Sequence, residues 1–314
     1  MSGFGRDRRR KSGTSREASV ISYIGGKYAL IHNIVPIIEW CAVAHNLKGY
    51  LEMCGGGGRM LLNVSVSLFE YRLYNELDLG LCKLFACLGD RDLLYELIDL
   101  LETLGCSEEV FELAKSERTR EAGMLAAGEL DGELDMVTAA AYIFILSGLS
   151  RASDLERFDQ TRVSNPQQKE AYFRKIQRLE YFYETLQDVH VSQGDCRDML
   201  DLYRKKDDYF AYLDPPYIPH SMVLDQHYSH SWTAGDHNIL VDKLLSTSLK
   251  VALSGYDNKI YDRLIDSGWR KLYLKNVHVS SSANGRRQEE FLWLNFDIPS
   301  SLQDRVCQFN YSGF

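Results

Sequence analysis

Two short apolar strands in this chain run directly into turns built of glycine or of proline. The strand at residues 50–53 ends just before the glycine run 55–58, and the strand at 209–213 ends just before Pro215 and Pro216. Glycines let the backbone approach a bound group closely, whereas consecutive prolines fix φ and leave carbonyl groups facing outward. Such turns predict an α/β sheet, in which ligands bind at the carboxyl ends of the strands.

Hydrophobic periodicity predicts further elements around these strands. A helix whose apolar face runs from Leu30 to Ile38 precedes the first strand, and a helix-like segment at 59–68 follows the glycine run. The other predicted helices span residues 92–104, 107–115, 137–149 and 167–186, and the other predicted strands lie at 72–74, 189–191, 251–254, 271–279 and 290–296. We expect the last two strands to pair antiparallel.

The order of these elements predicts how the chain is divided. Strand–turn–helix units stand at both ends, with about 110 mainly helical residues between them. We therefore expect an α/β sheet domain made of residues 19–78 and 189–300, interrupted by a mainly helical insertion at 79–188. Residues 1–18 have few apolar side chains and are predicted to be a disordered basic arm, and residues 301–314 to be a C-terminal tail.

Composition and cysteine usage narrow the class of protein. The chain has 314 residues, 45% of them apolar, and no apolar run near the roughly 18–20 residues of a membrane span. Its polar, basic N-terminus is unlike a secretory signal peptide. Seven scattered cysteines without a C-x-x-C pair favour reduced thiols over a disulfide scaffold or a zinc site. We expect a cytoplasmic protein that needs neither a membrane nor a metal.

Positive charge is concentrated in two parts of a chain whose formal net charge is −8. Residues 1–16 carry a net charge of +5 and residues 151–178 a net charge of +3, whereas residues 92–136 carry −10. A basic arm and a basic internal stretch let an acidic protein approach a polyanion locally. The alternative interpretation of the arm is a solvated tail, and the acidic stretch is typical of the solvated face of helices.

Acidic residues at the end of the second strand indicate a ligand that contains a ribose. Glu76 and Asp78 follow this strand, and a carboxylate there can accept hydrogen bonds from both ribose hydroxyls of a nucleoside. The alternative interpretation is that the acid caps a helix.

The tetrapeptide Asp214–Tyr217 is the most specific signal in the sequence. A carboxylate and a proline carbonyl can together accept both hydrogens of an exocyclic amine, and Tyr217 offers a flat face on which a base can stack. The alternative is a proline-rich turn that merely ends a strand. Together with the upstream glycines and acid, the tetrapeptide indicates chemistry on the amine of a nucleobase.

In these motifs the chain resembles the Dam-type DNA adenine methyltransferases, over roughly residues 20–297. The resemblance implies a Rossmann-like methyltransferase sheet with helices on both faces, and an inserted helical target-recognition domain. It also implies transfer of a methyl group from S-adenosylmethionine to the amine of adenine. The matching motifs, in family order, are Tyr23–Tyr28, Leu51–Gly58, Tyr74–Glu76, Gly194-Asp195, Asp214–Tyr217, Asp236-His237, Leu253-Ser254 and Glu289–Leu292 with Asn295.

The resemblance assigns roles to individual residues. The family usually has Phe where Cys54 stands and Asp where Glu76 stands. The catalytic residues implied are Asp214, Pro215, Pro216 and Tyr217, and the S-adenosylmethionine site implied comprises Tyr23, Lys27, Glu52, Cys54, Gly55, Gly56, Gly57, Glu76, Asp195 and Asp214.

A second stretch of resemblance lies in the insertion. Residues 146–153 resemble the base-reading loop of Dam enzymes that modify GATC, but hold Ser at its Asn positions, so the recognition sequence stays open. Because Arg is the commonest reader of guanine, Arg151 is predicted to contact a base and Leu149 a thymine methyl; helix capping is the alternative role for Arg151. Arg157, Arg162, Lys169, Arg174 and Lys175 are predicted to contact phosphates.

The chemistry implied is base flipping followed by direct methyl transfer, since the target amine lies in a paired, stacked base. No cysteine follows a proline, as it does in cytosine-carbon methylases, so no covalent intermediate is expected. The alternatives are an exocyclic-amine cytosine methyltransferase, a non-catalytic DNA-binding relative and an enzyme that acts on RNA. The expected partners are duplex DNA and, in a restriction–modification pair, a cognate restriction endonuclease. We expect a monomer of prokaryotic or phage origin.

Overall fold

The computed structural model describes residues 19–22, 30–217, 232–278 and 287–308. Within these ranges one seven-stranded sheet has the order β3-β2-β1-β4-β5-β7-β6, and every neighbouring pair is parallel except the two that β7 forms. The predicted α/β sheet and its closing antiparallel pair are confirmed. The strands are β1 (Gly49–Glu52), β2 (Tyr71–Glu76), β3 (Val189–Gln193), β4 (Tyr209–Leu213), β5 (Lys250–Tyr256), β6 (Arg270–His278) and β7 (Arg287–Leu294).

The long connection between β2 and β3 is mainly helical, because seven helices, α2 to α8, lie within it. Acidic or hydroxyl side chains start several of these helices: Asp78 caps α2, Ser107 caps α4 and Asp135 caps α5. The helices are α1 (Ile31–Ala44), α2 (Leu79–Gly89), α3 (Arg91–Leu104), α4 (Glu108–Ala126), α5 (Met136–Leu149), α6 (Thr161–Ser164), α7 (Pro166–Gln177), α8 (Tyr183–Leu186), α9 (Cys196–Tyr203), α10 (Ala234–Leu245), α11 (Asp262–Asp266) and α12 (Ser300–Gln308).

The central strands are covered on both faces. Successive residues of a strand point to opposite sides of the sheet. In β4, Phe210 and Tyr212 pack into a core that α1 and α12 cover, whereas Ala211 and Leu213 pack into a core that α9, α10 and α11 cover. Helices therefore lie on both faces of the sheet, as expected.

Helix α2 was not predicted from the sequence. It packs against β2 and β3 on one side and against α5 on the other, and eight of its eleven residues are buried. A helix that is buried nearly all round lacks the one-sided apolar pattern by which helices are recognised. The insertion consequently shares the core of the α1 face, because residues of α2 and α5 belong to the same apolar cluster as α1.

The segment after the glycine run is not the helix that the sequence predicted. Residues 56–64 form successive turns, and only Val66–Leu68 forms a short 3₁₀ turn. The buried carboxyl group of Glu52 accepts a hydrogen bond from the N–H of Leu61 and so holds the chain in a turn.

Two further boundaries differ from the prediction. The helix expected at 167–186 is interrupted, since α7 ends at Gln177 and a 3₁₀ turn at Leu179–Phe182 precedes α8. Residues 301–308, expected in a C-terminal tail, form α12 instead. Leu302 and Val306 lie four residues apart and are buried against the sheet and α1, which anchors this helix. The basic arm and residues 309–314 lie outside the described residues.

We expect Val306→Ala to lower the free energy of unfolding by about 2 kcal/mol, because it removes two buried carbon atoms from a fully buried side chain and leaves a cavity. Urea denaturation followed by circular dichroism measures this change. The exposed Gln303 of the same helix gives the matched control, Gln303→Ala, which should change stability little. Equal effects of the two substitutions would show that α12 does not contribute to the core.

Candidate active site

The carboxyl ends of the parallel strands bring the predicted site residues to one edge of the sheet. Because β1 lies between β2 and β4, the glycine loop (residues 55–58) lies between Glu76, which ends β2, and Asp214, which follows β4. Ser254 lies near the end of β5, the next strand along. The edge therefore holds a row of polar groups at the spacing of adjacent strands.

The glycine loop is fixed to β2. The N–H of Gly55 donates to the carbonyl of Asn75 at 2.8 Å, and the Tyr74 hydroxyl donates to the carbonyl of Gly56 at 2.7 Å. A Cβ atom at Gly55 would lie 2.2 Å from the Tyr74 ring, so any side chain there would displace the ring. Gly58 adopts φ of +62°, a left-handed conformation that favours glycine.

Glu52 lies beneath the glycine loop rather than at its open face. Its side chain is only 2% exposed, and its Oε2 accepts hydrogen bonds from the Tyr50 hydroxyl at 2.9 Å and from the N–H of Leu61. Burial raises the pKa of Glu52 to about 8. These contacts are those of a group that supports the loop, whereas the sequence predicted direct contact with a cofactor.

Glu76 is half-buried at the end of β2. Its Oε2 accepts from the N–H of Gly56 at 2.7 Å, and its Oε1 accepts from the N–H of Leu77 at 2.7 Å. Burial raises the pKa of this carboxyl above its ordinary value. Asp78 caps α2 through the N–H of Leu81 and pairs with Arg118 at 2.7 Å, so the helix-capping interpretation is confirmed for Asp78.

Asp195 and Cys54 are the remaining described residues among those predicted to bind the cofactor. Asp195 caps α9 and forms a two-contact ion pair with Arg197, at 2.5 and 2.9 Å, which lowers the pKa of Asp195. Arg197 also contacts Asp236 and lies over the ring of Trp232. Cys54 is half-buried, and its contact with the thiol of Cys196 is the main cause that raises the pKa of Cys54 well above its ordinary value. Tyr23 and Lys27 lie outside the described residues.

The four residues predicted to be catalytic follow β4 directly. Asp214 is half-buried, Pro215 is buried, and Tyr217 folds back so that its hydroxyl contacts Asp214 Oδ1 at 2.9 Å. The same oxygen accepts from the Ser254 hydroxyl at 2.9 Å. Burial, followed by the charges of Asp214 and Glu290, raises the pKa of Tyr217 well above its ordinary value, so the phenol keeps its proton.

Two residues that contact this tetrapeptide were not among the predicted site residues. Ser254 bridges Asp214 and the hydroxyl of Tyr212, from which its Oγ lies 3.0 Å. Glu290 on β7 lies with Oε1 2.7 Å from the Tyr217 hydroxyl and is 1% exposed. The sequence placed Glu290 in a motif that resembles the family, but its contact with Tyr217 could not be predicted, because that contact depends on the antiparallel return of β7.

A cavity of about 320 Å³ opens beside Tyr217. Its volume lies in the range of small-molecule pockets. One wall is His237, whose Nδ1 lies 2.8 Å from the Tyr261 hydroxyl, and burial lowers the pKa of His237 to about 4. The ring of Tyr256 lies 4.2 Å from the Tyr217 ring, centroid to centroid. The lining residues are Tyr217, His237, Gly255, Tyr256, Asp257, Asn258, Lys259 and Tyr261.

The structure separates the two residues that were predicted to read bases. Arg151 is exposed just after α5, whereas Leu149 is fully buried in the core. Contact of Leu149 with a thymine methyl is therefore wrong, because the apolar side chain faces the helices of the insertion. In the part of the chain that the structure describes, the Arg151 side chain makes no hydrogen bond to a carbonyl at the end of α5, which the capping alternative requires.

The residues predicted to contact phosphates lie in different surroundings. Lys169 and Arg174 are exposed on α7, and Arg174 pairs with Glu170 at 3.2 Å. Arg157 pairs with Asp154 at 2.6 Å, and the half-buried Arg162 lies 3.5 Å from Asp159. Packing around the accessible Lys175, followed by the positive charges of Arg162 and Arg59, lowers the pKa of Lys175. Positive charge is therefore concentrated around Lys175 of α7, near Arg162 and near Arg59, the residue that follows the glycine loop.

Within the described ranges, no helix is both long enough and apolar enough to cross a bilayer. The same ranges contain no group of three or more His, Cys, Asp or Glu side chains arranged to hold a metal ion.

The sheet order and the row of polar groups at its carboxyl edge define a methyltransferase of the Rossmann-like class. A comparison with protein families matches residues 23–280 to the D12 class N6 adenine-specific DNA methyltransferases. The chain belongs to this family, and its reaction is methylation of adenine in DNA, as the sequence resemblance predicted. A comparison with individually curated proteins gave no match.

The raised pKa of Glu52 predicts how stability depends on pH. The folded protein holds a proton on Glu52 up to about pH 8, whereas the unfolded chain releases it near the ordinary value of a carboxyl group. The free energy of unfolding should therefore fall as the pH rises from 5 to 8, with up to about 1.4 kcal/mol per pH unit from this group.

Urea denaturation at several pH values measures this slope, and Glu52→Gln should flatten it. The exposed Glu70 provides the matched control, since Glu70→Gln should leave the slope of the natural protein unchanged. A Glu52→Gln protein with an unaltered slope would contradict the assignment of this proton.

Proposed function

We propose that the protein transfers a methyl group from S-adenosylmethionine to the N6 amine of adenine within a specific sequence of duplex DNA. The transfer is direct and follows flipping of the target nucleotide. The observation that carries this proposal is the position of Asp214, at the carboxyl end of β4 with Oδ1 held by the hydroxyls of Tyr217 and Ser254. A carboxylate fixed in this way is a preorganised acceptor for an amine.

The groups at the sheet edge suit S-adenosylmethionine in chemistry and in shape. This cofactor carries a positive sulfonium and a ribose diol, and the edge offers the carboxylates of Glu76 and Asp214 on either side of the glycine loop. Glycines at 55–58 let a ligand approach the backbone closely. We assign Glu76 to the ribose and the glycine loop to the methionine portion, with Glu52 holding the loop from beneath.

The target amine would bind at the turn after β4. Asp214 and the carbonyl of Pro215 would accept its two N–H groups, which draws the nitrogen lone pair out of conjugation with the ring. Tyr217 would stack on the base, and the neighbouring cavity gives the flipped nucleotide a volume to occupy. Flipping costs a few kcal/mol, which contacts with DNA outside the target base must offset.

Bound S-adenosylmethionine supplies an activated methyl group with a neutral thioether as leaving group. The protein's own part is therefore alignment and electrostatics. Asp214 accepts hydrogen bonds from the amine and can take the proton that the methylated nitrogen must lose. Pro215 and Pro216 keep the backbone of this turn rigid, so that the acceptors do not have to be ordered when the substrate binds.

The three alternatives from the sequence receive unequal support. The family match favours adenine over the amine of cytosine, and DNA over RNA. The intact contacts of Asp214 favour an active enzyme over a non-catalytic relative. Transfer of a tritiated methyl group to duplex DNA and to RNA in parallel, with nucleoside analysis of the product, tests all three at once.

We assign residues 79–188 to target recognition, with Arg151 as the base-reading residue. Three non-glycine residues near Arg151, namely Ala152, Ser153 and Leu155, have φ between +53° and +63°. Left-handed backbone at non-glycine residues costs energy and concentrates at binding sites. A strained turn that presents an exposed arginine is therefore the part of the insertion best suited to enter the major groove. A monomer acting alone or beside a cognate restriction endonuclease is consistent with this assignment.

Replacement of the central carboxylate gives the test of the active site. Asp214→Ala should lower methyl transfer at least a hundredfold, because it removes the acceptor for the amine, while binding of S-adenosylmethionine stays measurable. Calorimetry measures binding, and sequencing that reports methylated adenines measures transfer. Asp266→Ala, which changes an exposed acid of α11, is the control. An Asp214→Ala protein with near-normal turnover would show that the site is wrongly assigned.

Two arginine substitutions separate sequence readout from general affinity. Arg151→Ala should relax the choice of site, at a cost of roughly 1–3 kcal/mol at one base pair. Arg174→Ala should weaken binding to all DNA about equally and reduce the salt slope by about 1. Methylome profiles of the two variants compare these effects. An unchanged motif with uniformly lower activity in Arg151→Ala would refute its role in specificity.

A further inference from the structure

Glu290 is a buried acid that directly precedes the apolar half of β7. It is 1% exposed, and the three residues that follow it are Phe291, Leu292 and Trp293. Burying a carboxyl group costs free energy that an apolar residue of similar size would not cost. Stability of the sheet alone therefore does not account for an acid at this position.

One contact of Glu290 lies inside the candidate active site. Its Oε1 is 2.7 Å from the Tyr217 hydroxyl, which is also 2.9 Å from Asp214 Oδ1. The hydroxyl thus stands between two carboxyl groups that come from different parts of the sheet, one after β4 and one within β7. The hydroxyl has one hydrogen, which it donates to one of the two carboxyl groups at a time, and oxygen atoms on both sides of it restrict rotation of the ring.

The strand that carries Glu290 is a rigid support. β7 pairs with β5 on one side and with β6 on the other, and Glu290 stands opposite Tyr256 in the register with β5. The ring of Tyr256 lies 4.2 Å from that of Tyr217. Glu290 and Tyr256 therefore contact Tyr217 at its hydroxyl and at its ring, respectively, from two paired strands.

We propose that Glu290 is a positioning residue for methyl transfer, which holds the ring of Tyr217 through its hydroxyl and thereby fixes the surface on which the target base stacks. This inference rests on the proposed function, since it assigns the reason for a contact within that site. Glu290 itself does not touch the reacting atoms. Its effect reaches the amine through Tyr217 and through the contact of Tyr217 with Asp214.

Two conservative variants of Glu290 separate the effect of side-chain length on methyl transfer from the effect of charge. Glu290→Gln keeps the length of the side chain and its ability to hydrogen-bond, but removes the charge. Glu290→Asp keeps the charge and shortens the side chain by one methylene group, which breaks the contact at 2.7 Å. We expect Glu290→Gln to retain kcat within about threefold and Glu290→Asp to lose ten- to a hundredfold in kcat, because misplacement of a reacting group by about 1 Å can cost a hundredfold.

A double-mutant cycle with Tyr217→Phe tests whether the effect passes through the hydroxyl. Without that hydroxyl, Glu290→Asp should have no further effect on kcat. KM for S-adenosylmethionine should stay within twofold in all variants, and thermal unfolding checks that each variant is folded. Glu289→Gln, which changes the exposed neighbour of Glu290, is the matched control.

Each outcome decides the inference. A loss of kcat in Glu290→Gln as large as that in Glu290→Asp would overturn the inference, since the charge of the side chain would then matter and not only its length. Full activity in Glu290→Asp would overturn it, as would a loss that persists in the Tyr217→Phe background. If the natural protein itself transfers no methyl group to DNA, it is the proposed function that has failed, so the two failures are distinguishable.

Discussion

Burial of the central strands on both faces is the constraint on which the arrangement of this protein depends. Every residue of β1 is buried, and β4 is buried from its second residue onward. No side chain within these strands can meet a ligand, so polar groups reach solvent only beyond their carboxyl ends. Strands in a sheet lie about 4.8 Å apart, and this spacing sets the distances among the groups that follow them. The site is therefore positioned by backbone hydrogen bonds more than by side-chain packing.

The carboxyl-rich edge of the sheet and the basic stretch of the insertion, residues 151–178, are opposite in sign. The carboxyl groups of Glu76 and Asp214 lie at the edge of the sheet, and the nearby Arg197 is shared between Asp195 and Asp236. An edge rich in carboxyl groups attracts a cationic cofactor but repels DNA phosphates. Under the proposed function, the exposed bases of α7 and of the turn after α5 must hold the polyanion. The cationic cofactor and the anionic DNA would then bind to different parts of the chain, the cofactor at the edge of the sheet and the DNA at the basic stretch of the insertion.

The sequence was most informative where a residue type strongly restricts the backbone, as the prolines and glycines at strand ends do. Asp214–Tyr217 after an apolar strand predicted a turn at the carboxyl edge of the sheet, and the order of the elements predicted an α/β sheet. Prediction failed where long-range contacts decide the structure. Leu149 matched a base-reading motif but is drawn into the core by its neighbours in the insertion. The turns at 56–64 depend on the buried carboxyl group of Glu52, and no local pattern encodes that contact.

His237, which lines the cavity beside Tyr217, stays neutral at neutral pH. Burial lowers the pKa of His237 to about 4, well below the range of roughly pH 5 to 8 in which an exposed histidine changes charge. The imidazole that lines this wall is therefore uncharged at neutral pH, and its Nδ1 is engaged with the Tyr261 hydroxyl. A basic ring nitrogen entering the cavity meets no cation from this side chain and receives no proton from it. His237 therefore adds no charge to this wall of the cavity at neutral pH.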